Sequence, residues 1–409
     1  MLGHTMQHAR FVAALLSALA LAALVGGQAH AKSWCAYPLW VHEWGVHAFD
    51  GGGAPAPGGP LPAHFHTRAD APRAITPVRE LPIDSGDRDL PVIHFYAPTM
   101  RGASIPVGLE VGFTTGAASA WFPAVDELRP AAIANGPASA VARTQLLAQR
   151  AARAGDSATW RGEAPTMPAD PTRQLVWSRL DLTPQPASPR APTDAAWVKT
   201  ARDIGALWVN AGGESERFLF YEGKTVERVP LTLRRGDRWQ PTKRQYVLSN
   251  TGAHPVHDVF VVHKDAGATY VFVAATIVAG ASVAFVLDDH PARDVKAATV
   301  TALRDRLVDP AASTVPAQYQ WDMDDCVMGR DPAVPTERAA GHHLYRAEAD
   351  LLLDTWGERF FGQPGTTVVY REDGAYLDAV MPLSVYTDMF SFPVLHRAGL
   401  ALWEHVSLP

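Results

Sequence analysis

Three ionisable side chains fall within six positions near the start of the chain. They are His42, Glu43 and His47, in the stretch WVHEWGVHAFDGGG from Trp40 to Gly53. Two imidazoles and a carboxylate this close suit two kinds of chemistry, the binding of a divalent ion and general acid–base catalysis. A zinc-protease helix carries its histidines at i and i+4 with a glutamate beside them. Here the spacing is i, i+5 with Gly45 between, and five residues of helix turn through about 500°, so the rings would diverge by about 140°. A strand behaves differently. Glu43, Gly45 and His47 then share one face and His42, Trp44 and Val46 the other. Glu43 and His47 could supply two metal ligands or an acid–base pair, with Glu43 the catalytic base if it is not a ligand. Equally, His42 and Glu43 could be hydrogen-bonded groups that fix a sheet against the Trp44 ring.

Other clusters are weaker. His64 and His66 flank Phe65 and would face the same way on extended backbone, which suits chelation or a solvated loop. WDMDDCVMG places Asp322, Asp324 and Asp325 beside Cys326. Hard oxygens at alternate positions can hold Ca²⁺ or Mg²⁺, but the Gly and Glu of an EF-hand loop are replaced by Val327 and Ala333. Asp288-Asp289-His290 and the pair His254/His257 stand at strand ends, where turn polarity accounts for them. Glu348 and Asp350 read as the solvated face of a helix. No G-x-S-x-G elbow, P-loop, G-x-G-x-x-G or C-x-x-C is present, which disfavours nucleotide, nicotinamide and dithiol redox chemistry.

The compartment is legible at the N-terminus. Arg10 precedes an apolar run from Phe11 to Val25, and Ala29-His30-Ala31 fits a small-x-small cleavage site. The run is shorter than the ~20 residues a spanning helix needs, so residues 1–31 read as a cleaved signal peptide. No later stretch is long and apolar enough to span. The product is expected to be periplasmic or secreted. Cleavage leaves 35 basic against 42 acidic residues. With no basic stripe, nucleic acid is a poor partner.

Cys35 and Cys326 form an even pair in an exported chain, which reads as one disulfide, with two buried thiols as the other possibility. A bridge would close a loop of about 290 residues, for which chain entropy gives about 5 kcal/mol. It would also bring the two Cα atoms to about 4.4–6.8 Å. Asp324 and Asp325 would then lie near the strand of His42 and Glu43, giving one cluster of His42, His47, Asp324 and Asp325 around a divalent ion.

The elements that must position these residues are mostly strands. Residues 32–50 read as an opening strand, broken by GGGAPAPGGPLP, with a Pro-, Asp- and Arg-rich loop to residue 90. LPVIHFYAP and the alternating IPVGLEVGF follow as strands, then an amphipathic helix at 138–154 and an isolated strand, RQLVWSRLDL. Six short strands between residues 217 and 288 suggest an antiparallel meander or sandwich. Residues 296–308 and 344–361 read as helices, TTVVYRE as a strand, and residues 394–405 as a final short helix.

HEWG at 42–45, PVIHFY at 91–96, RFLFYEGK at 217–224 and LLLDTWGERFFGQPGTTVVY at 351–370 occur in that order. Together they resemble a family of exported bacterial proteins with an N-terminal HEWGT-type motif. The blocks span most of the mature chain. The resemblance implies the fold and an exported location; it implies no reaction. Val46 stands where that family has Thr, and His94 where it has Tyr.

The expected fold is α+β and β-rich, an antiparallel sheet or sandwich core with a C-terminal helical segment. The expected units are a β-rich region at 32–200, a meander at 201–295 and an α+β segment at 296–409. Two functions follow. One is a non-catalytic binding or envelope-associated protein whose partner is a protein, glycan or small molecule. The other is a divalent-metal-dependent hydrolase using His42, Glu43 and His47.

Overall fold

The computed structural model describes residues 35–49, 61–67, 86–97, 104–114, 117–129, 174–225, 227, 229–238, 244–265, 268–287, 295–308, 327–328, 341–387 and 391–408. Its strands are β1 (Cys35–Phe49), β2 (His66–Thr67), β3 (Gly86–Tyr96), β4 (Ile105–Gly112), β5 (Ala117–Phe122), β6 (Glu127–Arg129), β7 (Gln174–Thr183), β8 (Trp208–Ala211), β9 (Glu214–Glu216), β10 (Leu219–Thr225), β11 (Leu231–Arg235), β12 (Arg244–Asn250), β13 (Val256–Lys264), β14 (Thr269–Ile277), β15 (Ser282–Leu287), β16 (Val327–Met328), β17 (Gly365–Glu372), β18 (Leu383–Thr387) and β19 (Ser391–Trp403). The described helices are α1 (Ala196–Asp203), α2 (Val295–Leu307), α3 (Arg346–Phe361) and α4 (Gly374–Val380). The fold is α+β and strand-rich, as expected. Among the described residues no helix is long and apolar enough to cross a membrane.

One large sheet forms the middle layer, in the order β14-β13-β17-β19-β1-β3-β10-β5-β2 with β16 on β1. Trp44, Val46, Val92 and Leu400 on one face share a core with Trp197 of α1, Leu303 of α2 and Trp356 of α3. The opposite face is covered twice. Val41, Ile93 and Tyr221 meet the six-stranded sheet β18-β4-β7-β8-β9, while Phe49, Val261 and Tyr370 meet the three-stranded sheet β11-β12-β15. A sheet buried on both faces must carry apolar side chains at odd and even positions alike, and β1 does so at Val41, Trp44, Val46 and Phe49.

Three expectations change. The strands of 201–295 divide among the three sheets: β8 and β9 join the six-stranded one, β10, β13 and β14 the large one, and β11, β12 and β15 make the smallest. The final helix expected near residues 394–405 is β19, in parallel register with β1 from Tyr37–Ser391 to Phe49–Trp403. Val394, Ala398, Leu400 and Leu402 are buried in the ladder beside the most central strand, and tertiary pairing overrides local propensity. Glu348 is fully buried, not solvated. The expected helix at 138–154, most of the 51–90 loop, and Asp288-Asp289-His290 lie outside the described residues.

Candidate functional site

β1 is extended throughout, so the two-face reading of HEWGVH holds, and its polar side chains part company. His42 faces the helices. It pairs across the ladders with His94 on β3 and His396 on β19, a row of three imidazoles over three adjacent strands. Its ring stacks on Tyr345 at 4.6 Å and on His396 at 4.9 Å. The row lies under the N-terminus of α3, where Glu348 points down into it. Nδ1 of His42 donates to Glu348 Oε2 at 2.7 Å, and the Tyr345 amide caps the same oxygen at 2.8 Å. Nδ1 of His94 is 3.2 Å from Oε1. An ionised carboxylate only accepts, so His42 carries its proton on Nδ1.

Burial by itself would raise the Glu348 pKa. The charge and hydrogen bond of His42, and then those of His94, outweigh it and hold the carboxyl well below the usual range. The same carboxylate, after burial, pushes the Tyr96 phenol well up. His396 is pushed down to about 4, chiefly by burial and next by His42.

Glu43 faces the other way. It accepts from the Tyr221 hydroxyl and from Nε of Arg397, its partner across the β1–β19 ladder. Arg397 also holds Asp378 of α4 at 2.8 Å and the Met381 carbonyl at 2.8 Å. Burial opposes that charge, but Glu43 more than restores it and raises the guanidinium pKa. Gly45 stands opposite Gly399 in the same register. The space beside these glycines is about 20 Å³, lined by Glu43, Leu377 and Met381, room for about one water.

His47 lies two pairs further on. Its Nδ1 is 3.0 Å from Glu372 Oε1, and its Nε2 is 3.4 Å from the Thr225 hydroxyl and 3.8 Å from Glu227 Oε2. Glu372 is on β17, so it must cross β19 to reach β1. It crosses at Gly399, where a Cβ would come within 2.8 Å of both Glu372 Oε2 and Leu377 Cδ2. Glycine there clears the path.

His42 and His47 therefore lie on opposite faces of a central strand, each on its own carboxylate, and Glu43 is neutralised by Arg397. The three do not converge on one ion. Among the described residues no three His, Cys, Asp or Glu are grouped as metal ligands would be. Asp324 and Asp325 lie outside the described residues. So does Cys326, although β16 pairs Val327 with Ala36 and Met328 with Cys35, which carries the backbone next to Cys326 onto the start of β1. His64 and His66 also separate, towards Glu216 at 3.9 Å and Glu214 at 2.9 Å.

An open cleft lies just beyond Glu372. It has a volume of about 500 Å³ and runs between the loops of the three-stranded sheet (Val229, Pro230, Thr251 to Pro255) and α4. Glu227, Glu372 and Asp373 line it with Tyr370, Tyr376 and His254. Asp373 caps α4 through the Ala375 amide at 2.9 Å and faces His257 Nε2 at 3.1 Å and His254 Nδ1 at 4.0 Å. Burial would raise its pKa, but the His257 hydrogen bond and the cap lower it. A β-bulge between His257 and Phe260, with Asp258 at φ 47°, shapes this rim. The sequence places His254 and His257 at strand ends as turn residues and does not show the cleft, because Glu372 at the end of β17 and Asp373 at the cap of α4 lie more than a hundred residues further on.

No family model matches this sequence, and no curated protein does. Among solved structures, the yeast delta-COP-I mu-homology domain complexed with a Dsl1 WxWxV peptide aligns over 90% of this chain and 95% of its own. The identity is 10% and the TM-score 0.25.

Proposed function

We propose that this is an exported, non-catalytic binding protein of the periplasm or cell envelope whose cleft beside α4 receives a small-molecule ligand. The observation that carries the reading is the contrast in access. The HEWG side chains are sealed in buried pairs beside a space for one water, while the cleft opens about 500 Å³ to solvent. That is within the usual range of ligand sites, which are concave, mostly apolar and marked by a few convergent polar groups. The HEWG motif serves the cleft from below. Glu43 holds α4 through Arg397, and His47 holds Glu372 at its floor.

The test is a thermal-shift screen of small molecules on the protein secreted to a periplasm, beside Ala253→Trp, which fills the mouth from an exposed position. The expected result is stabilisation of the native chain by a ligand that is recovered unchanged and is without effect on the variant. A ligand that stabilises both equally, or is chemically turned over, overturns the reading. The same preparation tests the export features. The mature chain should begin at Lys32, and Cys35 and Cys326 should resist alkylation in denaturant until reduced. Two thiols reactive without reduction would remove the disulfide.

A further inference from the structure

We infer that β14 is a docking edge for a second copy of this chain, the two strands pairing antiparallel about a two-fold axis through Val273. β14 is the last strand of the large sheet, and among the described residues only β13 pairs with it. Natural edges are blunted by shortness, charge, proline or a bulge. β2, β9 and β11 follow that rule at other sheet ends: β2 has two residues, β9 carries Glu214 and Glu216, and β11 carries Arg234 and Arg235. β14 is nine residues long and keeps one register along β13. From Thr269 to Leu287, through β14, the turn and β15, there is no Asp, Glu, Lys, Arg, His or Pro. Val273 and Val278, 38% and 58% exposed, are the exposed large apolar side chains among the described residues, and both lie on this hairpin. Phe272 stacks on Phe285 at 4.5 Å, which holds β14 beside β15, the equally uncharged end of the three-stranded sheet. Two features select a copy of the chain as the occupant. Residues directly opposite in an antiparallel pair touch, and like charges there repel. A strand that meets itself must therefore be uncharged near the axis, whereas specificity for a different protein is drawn from charges and shaped pockets. With Val273 on the axis, Phe272 falls opposite Ala274, Val271 opposite Ala275 and Tyr270 opposite Thr276 of the other copy. Each large side chain meets a small one, the self-complementarity an isologous contact requires.

The experiment is sedimentation velocity of the mature protein at micromolar concentrations. The wild type should sediment as a dimer that tightens as salt rises, because the contact is apolar and two chains of net negative charge repel at low salt. Val273→Lys sets two ammonium groups against each other on the axis from an exposed position; it should weaken the dimer at least tenfold and leave the far-UV spectrum unchanged. Val273→Cys keeps the strand uncharged and should oxidise to a covalent dimer, because directly opposite residues come within disulfide reach. Val278→Cys, more exposed but off the axis, should not cross-link. A wild type that stays monomeric at high micromolar concentration overturns the inference. So does a dimer that Val273→Lys leaves intact, since its interface would lie elsewhere. If Val273→Lys dissociates the dimer but Val273→Cys does not cross-link, the axis misses Val273 and the register is overturned. If a different chain co-purifies and Val273→Lys releases it, the edge serves that partner and the second copy is overturned as its occupant.

Discussion

His42, Glu43 and His47 on β1, and His254, His257 and Asp373 at the cleft, are the same residue types in two settings. The first three are 2%, 4% and 1% exposed. The side chains of the second three are 36%, 21% and 23% exposed. In the first setting every charge meets a partner brought from the C-terminal third of the chain: Glu348, Arg397 or Glu372. In the second, the histidines and the aspartate share a rim that solvent and ligand can reach. A motif rich in catalytic residue types is here a device for holding a sheet to its covering layers. The chemistry open to solvent lies in residues with no motif at all. Burial separates the two, because a charge out of water is retained only when it is paired.

The largest effect should come from breaking the Glu43–Arg397 pair. Arg397→Ala leaves Glu43 buried without its counter-charge and frees α4 from the large sheet, a loss of about 3–5 kcal/mol. Glu43→Gln with Arg397→Met removes both charges together and should recover most of that loss, since apolar replacement of a whole buried pair is often near neutral. Urea unfolding of the single and double variants checks this. A double variant as unstable as Arg397→Ala would mean that the contacts of Arg397 to Asp378 and Met381, not its charge pairing, carry the stability.

Acid should come next. The His396 pKa lies near 4 in the fold against 6.5 in a free chain, so the unfolded state takes up a proton before the folded state does. The stability tied to its neutral form is complete above pH 6.5 and is lost as pH falls towards 4, up to about 3 kcal/mol. His342, also pushed down to about 4 by burial and then by Arg371, acts in the same direction but is more exposed, so its share is smaller. Glu348 extends the loss below pH 4.5, because its lowered pKa lets the unfolded chain protonate first. His396→Gln should flatten the slope between pH 6.5 and 4.5 and leave the steeper fall below it. Unfolding curves at pH 7, 5.5 and 4.5 measure this; an unchanged slope in the variant would place the titrating groups elsewhere.

Much of the fold was legible in the sequence, and the parts that were not share a cause. The alternation of β1, the strands at LPVIHFY and IPVGLEVGF, and helices α2 and α3 follow from local periodicity. The two faces of HEWGVH were read correctly for the same reason. What local pattern could not supply is the partner across the sheet. Glu348 lies 306 residues from His42 and Glu372 lies 325 from His47. Glu348 falls four residues after Leu344 and four before Leu352, on the buried stripe of its helix, so its spacing points inward and only its charge suggests solvent. Only the row of His42, His94 and His396 beneath it shows why a carboxylate belongs there. The apolar residues of β19 read locally as a helix, because its thirteen-pair ladder with β1 is visible only once both strands are in place. His254 and His257 had the polarity of turn residues, and their role depends on Asp373, more than a hundred positions later.

Gly399→Ala is a sharper probe of the same contrast, because this residue lies between the two regions. The added methyl meets Glu372 Oε2 and Leu377 Cδ2 at 2.8 Å, so it must displace either the carboxylate that crosses to His47 or the α4 side chain that covers Gly45. The cost should be about 1–3 kcal/mol, that of overpacking a filled core. If the cleft depends on the buried network beneath it, the substitution should also weaken ligand binding, although residue 399 does not line the cavity. Stability lost with affinity retained would show that the cleft floor is held by α4 alone.

The smallest effect on stability belongs to the rim. Ala253→Trp adds a large side chain at an exposed loop position with no buried partner to disturb, so unfolding should shift by no more than about 0.5 kcal/mol. Its effect on ligand binding should nonetheless be complete. Arg397→Ala and Ala253→Trp therefore separate stability from access. The first should unfold much of the protein at moderate denaturant and, by releasing α4, weaken binding in the fraction that stays folded. The second should be as stable as wild type and bind nothing. If Ala253→Trp binds normally, the ligand does not enter past the 251–255 loop. Access would then have to come from the α4 side, where Tyr376→Trp narrows the cavity from the opposite wall and should block it instead.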